Sequence, residues 1–315
     1  MTFFCGKKGK KLNFDVIIIG GGAAGISAAL WCDELGLDAL LLESNAELGG
    51  QLLWTYNEIK NHLSIEAKNG RELRDVFVKQ TEKRNFTARL KTKVSEVNFK
   101  RKSVTLETGE ALFARAIIVA TGVKRRKLEV EGEEKFQNKG IIQSGKREQN
   151  FVKGKNAAII GGGDAAFENC LILAEAAAKV FLVHRGKDFR ARKEFVEKVS
   201  ENSKIEILTE TAVTKFIGNE QLEAVELKNL KTNKTQILTT QTILIRIGVT
   251  PEIEIFRGEI DLDEQGYIKI DSRCQTSVKG VFAVGDVANP VAPTLSSAVG
   301  MGATAAKAIF AALNL

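Results

Sequence analysis

The sequence predicts an α/β protein built around two nucleotide-binding βαβ domains, and three observations lead there. The segment DVIIIGGGAAGISAAL near position 20 recurs as NAAIIGGGDAAFENCLIL near position 161, with the first glycines of the two copies 141 residues apart. Each copy reads as a short apolar strand, a Gly-rich turn and an amphipathic helix. The chain has 315 residues, 44% hydrophobic and 27% charged, an ordinary globular balance with room for roughly two domains. At this length folding removes roughly 75% of the unfolded surface from water, so the core needs no metal or crosslink.

Composition narrows the partners. The 28 Gly against three Pro suggest backbone that approaches something closely. A formal net charge of +7 favours anionic partners such as phosphate cofactors or acidic proteins. Cys5, Cys32, Cys170 and Cys274 form no CxxC and no zinc spacing, and with two His they leave little for metal chemistry. Scattered thiols fit a reducing, cytoplasmic setting. The uncharged stretches 16–32 and 287–306 are interrupted by Gly, Pro, Ser and Thr, so neither reads as a membrane span. The N-terminal MTFFCGKKGKKLNF lacks the apolar run of a signal peptide and reads as a mobile basic arm. Two Tyr and two Trp, not interleaved with basic residues, argue against nucleic acid.

In the first copy, strand 16–19 leads into Gly20, Gly22 and Gly25, a GxGxxG turn that opens a helix through Ala23 and Ala24. Gly20 permits the tight turn, Gly22 lets backbone reach a pyrophosphate, Gly25 allows close helix packing, and the helix N-terminus supplies oriented N–H donors. A second strand, ALLLE, ends in Glu43, 23 residues after Gly20, where a carboxylate can accept from a ribose 2′-hydroxyl.

The second copy keeps Gly161 and Gly163 with Asp164, Ala165 and Ala166 opening its helix. The same spacing of 23 residues reaches His184, followed by Arg185, Lys187, Arg190, Arg192 and Lys193. A basic cluster in place of the carboxylate binds a 2′-phosphate that the carboxylate would repel, so this unit should prefer NADP(H) to NAD(H). The spatially uncommitted alternative is a solvated basic face.

Further motifs follow in order: ESNAELGGQL at 43–52, IVATG at 118–122, HRGKDFRA at 184–191, and TSVKGVFAVGDV at 276–287 with the helical SSAVGMGATAA after it. From residue 14 onward the chain resembles the low-molecular-weight thioredoxin reductases, flavoproteins of the class II pyridine nucleotide-disulfide oxidoreductase type. The resemblance implies two Rossmann-like domains: an FAD domain of residues 1–122 and 249–315, and an NADPH domain of residues 123–248 inserted into it. It places FAD on Gly20, Gly22, Ala23, Ala24, Gly25 and Glu43, on Gly50, Gln51 and Leu52 of the GGQL turn, and on Asn61. Ala120, Thr121 and Gly122 would close over its adenosine half, and Gly285 with Asp286 would hold its ribityl and pyrophosphate region. Thr294 and Leu295 open the last helix, whose positive N-terminal end suits the charge on a reduced flavin. NADPH would lie on Gly161, Gly163, Asp164, Ala165, Ala166, His184, Arg185 and Arg190. Gly186 departs from the HRR triplet common in the family and implies a weakened NADPH preference. His62, beside Asn61, falls in a flavin-proximal segment of the family.

The main departure is at the catalytic dithiol. The family's CxxCD element falls on Ser144, Gly145, Lys146, Arg147 and Glu148, so both sulfurs are missing and only the acid is kept, as Glu148. Ser and Arg cannot carry reversible disulfide chemistry. Glu148 is a candidate proton donor, with a solvated loop residue as the plainer reading. The pattern resembles ferredoxin or flavodoxin NADP reductases of thioredoxin-reductase type, which implies hydride transfer from NADPH to FAD and electrons leaving to an external acceptor. The run Lys124, Arg125, Arg126 and Lys127 would steer an acidic redox protein. Quinones, free flavin and oxygen stay open as acceptors, as do a disulfide reductase using a non-standard thiol and an FAD-binding regulator without turnover. The family also implies a homodimer.

Overall fold

The computed structural model describes residues 12–314. Residues 1–11, with most of the basic arm and Cys5, lie outside them, while Asn13 and Phe14, read as part of that arm, belong to the first strand. The chain divides into two compact units: Arg125–Val249 forms one, and the segments on either side, up to Lys124 and from Thr250, form the other.

The first unit starts with β1 (Asn13–Ile19), α1 (Ala23–Glu34), β2 (Ala39–Leu42), α2 (Gly70–Thr81) and β3 (Thr87–Arg89), then β4 (Val94–Asn98), β5 (Ser103–Leu106), β6 (Ala111–Val119) and β7 (Val123–Arg125). Uniformly apolar runs such as VIII in β1 demand cover on both faces, which is the mark of a parallel strand inside a sheet. Val16, Ile17 and Ile18 are fully buried. Ile17 and Ile19 pack on the face that holds Phe99 and Phe256, while Val16 and Ile18 pack on the face that holds Ala28, Ala305 and Ala306. Burial of each such aliphatic side chain contributes roughly 1.5–3 kcal/mol.

The second unit contains β8 (Ile141–Ile142), β9 (Asn156–Gly161), α3 (Asp164–Ala174), β10 (Lys179–Val183), α4 (Lys193–Ser200) and β11 (Ile205–Leu208). A three-stranded antiparallel sheet of β12 (Thr211–Ile217), β13 (Ala224–Asn229) and β14 (Thr235–Thr239) follows, then β15 (Thr242–Arg246), and β16 (Val249–Pro251) leads back into the first unit. Its main sheet is parallel throughout, ordered β11-β10-β9-β15-β8.

The chain then completes the first unit with β17 (Val281–Ala283) and α5 (Leu295–Leu313). The sheet of that unit runs β3-β2-β1-β6-β5-β4, with β17 parallel to the last residues of β6. In both units the strand order reverses at the first strand of the repeat: β1 lies between β2 and β6, and β9 between β10 and β15. The carboxyl ends of strands at such a reversal leave a crevice for a ligand.

The small residues of α5 have a packing cause. A methyl added to Gly302 would stand 2.4 Å from the Ala24 carbonyl oxygen and 2.8 Å from the Ala28 nitrogen, so the backbones of α1 and α5 nearly touch. Ser27 Oγ donates to the Val299 carbonyl at 2.7 Å across the same seam. Among the described residues α5 is the one helix long and apolar enough to cross a bilayer. Its Ala298, Gly302, Ala305, Ala306 and Ile309 are buried within the unit.

Candidate functional site

In the first unit the elements around the start of α1 converge from distant parts of the chain. Gly20 has φ of +109° and its added Cβ would lie 2.4 Å from the Ala120 carbonyl oxygen; one on Gly25 would lie 1.9 Å from the Gly20 oxygen. Both glycines are therefore required by the protein's own backbone. Gly22 differs, because its Cβ would meet only the Gly50 Cα at 3.9 Å. That turn is left open toward a ligand, as a phosphate cradle requires.

Glu43 is 5% exposed and is part of the turn itself. Its Oε2 accepts from the Gly21 nitrogen at 2.7 Å, and its Oε1 accepts from the Asn45 nitrogen and Nδ2 at 2.7 Å each and from Ser44 Oγ at 3.2 Å. With about four lone-pair positions on a carboxylate, a ribose hydroxyl would use the remaining one on Oε2.

The GGQL turn docks on the same end of α1. The Gly49 nitrogen donates to the Gly21 carbonyl at 2.8 Å, and Gly49 and Gly50 have φ of +134° and +52°. Gln51 Nε2 donates to Asp286 Oδ2 at 3.0 Å, joining residues 235 positions apart. Burial raises the Asp286 pKa, and the Gln51 hydrogen bond opposes the rise. Gly285, with φ of +75°, packs against Ala24, where an added Cβ would stand 2.9 Å from the Ala24 Cβ. Thr121 Oγ1 donates to the Glu252 carbonyl at 2.7 Å, and the Glu252 nitrogen donates to the Gly122 carbonyl at 3.0 Å.

Thr294 caps α5 through a capping box with Ser297. The box satisfies the Ser297 N–H and leaves the main-chain N–H groups of Leu295 and Ser296 without an intrahelical acceptor. Leu295 packs against the cluster of Leu52, Ile59, Ala67 and Leu73, and His62 Nδ1 lies 3.2 Å from Ser296 Oγ. His62 thus joins this helix start, whereas Asn61 is exposed and makes no hydrogen bond to the group.

In the second unit Gly161, with φ of +154°, stands beside the Arg246 carbonyl, 2.2 Å from an added Cβ, while nothing lies within 4 Å of a Cβ on Gly163. One glycine is again crowded and one open. Asp164, at the start of α3, is held by Arg192, whose nitrogen and Nε donate to it at 2.7 and 2.8 Å. Ala165 is exposed and Ala166 fully buried beneath the turn. His184 lies over Gly162, where a Cβ would meet its ring at 2.3 Å, and its Nε2 is 3.0 Å from the Asp188 carbonyl. This ring shapes the turn, and Phe189 lies 5.2 Å from it. The Arg190 nitrogen donates to the Gly162 carbonyl at 2.8 Å, which brings the basic loop onto the Gly-rich turn.

The basic cluster separates into two sets. Arg192 pairs with Asp164 and Glu194, and Lys193 with Glu197. Among the described residues the exposed side chains of Arg185, Lys187 and Arg190 have no carboxylate partner. A helix face balanced by its own acids accounts for the first set only.

One sequence expectation is corrected and another is qualified. Glu148 is not a solvated loop residue but is partly buried and hydrogen-bonded within its turn. Its Oε2 accepts from the Gln143 and Ser144 nitrogens at 2.9 and 2.7 Å, and its Oε1 takes Arg147 Nη2 at 2.5 Å. It closes the 144–148 turn, which the Gly145 nitrogen ties to Asn169 Oδ1 at 3.1 Å. The run Lys124–Lys127 is exposed but only partly uncompensated: Lys124 pairs with Glu254 at 2.6 Å, Lys127 with Glu134 at 3.1 Å, and Arg126 Nε donates to the Val249 carbonyl. The partners lie far away in sequence or in a separate acidic run, so the cation run alone gave no sign of them.

Cys32, Cys170 and Cys274 are free and buried. Burial pushes the Cys32 thiol up to about 12 and Cys274 to about 11, and raises Cys170 as well. Such thiols stay protonated at neutral pH and are poor nucleophiles.

Two doubly wound units, each with a crowded glycine, an open glycine and a helix start at the strand-order reversal, define a dinucleotide-binding protein with two cradles. Comparison with known families sharpens this. The chain belongs to the pyridine nucleotide-disulphide oxidoreductase family, whose model matches residues 14–305. A thioredoxin reductase of Mycolicibacterium smegmatis is 33% identical over 294 residues, covering 92% of this chain and 94% of that protein. A 34.2 kDa protein in the rubredoxin operon of Clostridium pasteurianum is 29% identical, covering 93% and 95%. The crystal structure of Lactococcus lactis thioredoxin reductase superposes with a TM-score of 0.85 at 30% identity, over 96% of this chain and all of that one. The chain is a thioredoxin-reductase-like flavoprotein oxidoreductase, of a family that uses FAD and NADPH.

Proposed function

We propose that this protein takes reducing equivalents from NADPH through FAD and delivers them to an acceptor outside the chain, a flavodoxin- or ferredoxin-like redox protein. The observation that supports the reading is the 144–148 turn, on which by the resemblance the family's dithiol would fall, and which contains no Cys and is clasped by Glu148. The three described thiols are buried and protonated, which removes them as substitutes. When bound, NADPH supplies a hydride and FAD accepts it and releases electrons.

The chain's own residues would do the binding. The N–H groups at the start of α1 and the open backbone at Gly22 would face the FAD pyrophosphate, Glu43 Oε2 a ribose hydroxyl, and Asp286 with Gln51 the ribityl region. Leu295 and Ser296 would direct their N–H groups at the electron-rich edge of the reduced ring. In the second unit the open backbone at Gly163 would face the NADPH pyrophosphate, with Arg185 and Arg190 on the 2′-phosphate. The overall charge of +7 supports an acidic acceptor by steering.

The test is anaerobic mixing with NADPH, then addition of flavodoxin, ferredoxin, thioredoxin or a quinone. Flavin bleaching within seconds and fast reoxidation by flavodoxin or ferredoxin is the expected result. Fast turnover of thioredoxin overturns the reading, and a flavin that NADPH never bleaches makes the protein a flavin-binding regulator.

A further inference from the structure

The loop 59–67 holds one ring against the start of α5. At its base the Ile59 nitrogen donates to the Ala67 carbonyl at 2.8 Å, and the Ala67 nitrogen donates to the Ile59 carbonyl at 3.1 Å. Both side chains are buried with Leu52 and Leu73, so the loop is anchored by apolar packing. Toward its tip the Ile65 nitrogen donates to the His62 carbonyl at 3.4 Å. The His62 ring meets Phe77 of α2 edge-on, with 5.9 Å between centroids, and its Nδ1 lies 3.2 Å from Ser296 Oγ.

Ser296 follows Leu295 in the first turn of α5, where both main-chain N–H groups lack an intrahelical acceptor. The direction of the hydrogen bond between His62 and Ser296 depends on protonation. A neutral ring in its Nε2–H form accepts from the hydroxyl at Nδ1, whereas an imidazolium donates from Nδ1–H to Oγ. Protonation therefore releases the hydroxyl hydrogen to another acceptor. It also sets a full positive charge one hydroxyl away from the partial positive charge of the helix start.

Among the described residues no carboxylate pairs with His62. On its own loop and flanks Glu58 pairs with Lys60 at 2.7 Å, while Glu66 and Lys68 are exposed. On α2, Arg71 pairs with Glu47, Arg74 with Glu47 and Asp75, Glu72 accepts from the Lys68 nitrogen, and Lys79 lies in the last turn. From the side of α5, residues 287–306 carry no charge at all. Histidine is the side chain that changes charge near neutral pH, and a negative charge arising at the start of α5 would draw a proton to it.

We propose that His62 is a positioning residue for flavin reduction: it takes up a proton from water as the flavin gains its electrons and, through Ser296, turns the resulting charge toward the start of α5. The inference rests on the placement of the flavin at α5 in the reading above and not on the identity of the acceptor. The step balances. Hydride transfer adds one hydrogen and two electrons and leaves one negative charge on the ring, one proton from water bonds to the unprotonated His62 nitrogen, and it returns to water when the electrons leave. By linkage, the protonated imidazole favours reduction by the same factor as reduction favours protonation.

The chain has two His, so labelled imidazoles give two NMR signals, from His62 and His184. The FAD-loaded protein is titrated with acid and base when oxidised and again after anaerobic reduction by dithionite, which involves neither NADPH nor an acceptor. Reduction is expected to raise the proton affinity of His62 by about tenfold and to leave that of His184 unchanged. Potentiometry against reference dyes should show the protons taken up per electron pair rising from one toward two between the oxidised and reduced His62 midpoints. In His62→Gln the count stays at one, and in Ser296→Ala the tenfold change falls to about threefold or less. A His62 midpoint that reduction leaves in place, a proton count unaltered in His62→Gln, or an undiminished change in Ser296→Ala overturns the inference. The first titration uses the unaltered chain and decides the matter even where a variant fails to fold. Flavin-free protein separates the two failures: where FAD moves the His62 signal and reduction does not, the proton step alone falls, and where FAD leaves the signal unmoved, the placement of the flavin at α5 falls with it.

Discussion

The two Gly-rich turns share a backbone plan and differ in what secures it. In the first, Glu43 accepts from the Gly21 nitrogen, and in the second, the His184 ring lies over Gly162 while Arg190 donates to the Gly162 carbonyl. The residue 23 positions after the first glycine therefore touches the second glycine of the turn in both units. A carboxylate there fixes the turn and brings negative charge, whereas an imidazole fixes it without that charge and leaves Arg185 and Arg190 unpaired beside it. One position thus shapes the turn and sets the charge beside it.

The sharpest way to break this comparison is to test the crowded and open glycines separately. Gly25→Ala forces a methyl to 1.9 Å from the Gly20 oxygen, and a loss of about 3 kcal/mol in denaturant unfolding is expected, with purification free of FAD. Gly163→Ala adds a methyl that meets nothing within 4 Å. Its stability should change by about 1 kcal/mol at most, the difference between Gly and Ala as an N-cap, while the KM for NADPH rises. Equal unfolding of the two variants would show that the open glycine is structural.

The next effect concerns charge. Arg185→Ala with Arg190→Ala removes charge-assisted hydrogen bonds, each of about 1.5–3 kcal/mol, and should raise the KM for NADPH by roughly tenfold or more relative to that for NADH. Arg192→Ala, whose side chain already serves Asp164, should leave the ratio of the two KM values nearly unchanged. Steady-state kinetics with both nucleotides checks this, and a uniform rise for both would remove the assignment.

The smallest expected effect is on Asp286. Its folded pKa is raised by burial, so the folded protein binds this proton more tightly than the unfolded chain does. The charged carboxylate therefore costs stability above the folded pKa, and that cost disappears as pH falls below the unfolded value. In the FAD-free protein Asp286→Asn should raise the Tm at neutral pH, with the gain vanishing through the carboxylate range. The same variant should hold FAD less tightly. A lower Tm at neutral pH would mean that the Gln51 hydrogen bond outweighs the desolvation.

Legibility followed the range of the interaction. The strands and helices of both repeats could be read because local periodicity and the Gly-rich turns lie within short segments. The roles of Gly20 and Gly25 were legible because turn geometry is local, although their partner at Ala120 was not. The pairing of Gln51 with Asp286 and the place of His62 at α5 join residues more than 230 positions apart, beyond any spacing rule. Glu148 was misread as a loop acid because its main-chain partners become apparent only when the turn closes. The pairing of Lys124 with Glu254 and of Lys127 with Glu134 was not legible, because those acids carry no mark of pairing in the sequence.

The sequence by itself determined the family, the repeated nucleotide motif, the exchange of Glu43 for His184 with its basic followers, and the lack of any CxxC. These are matters of residue type and short spacing, which the chain carries before it folds. Only the tertiary structure decided which glycines are crowded and which open, and which arginines are already paired. Those outcomes depend on distances across sheets and turns, where packing chooses a charge's neighbours.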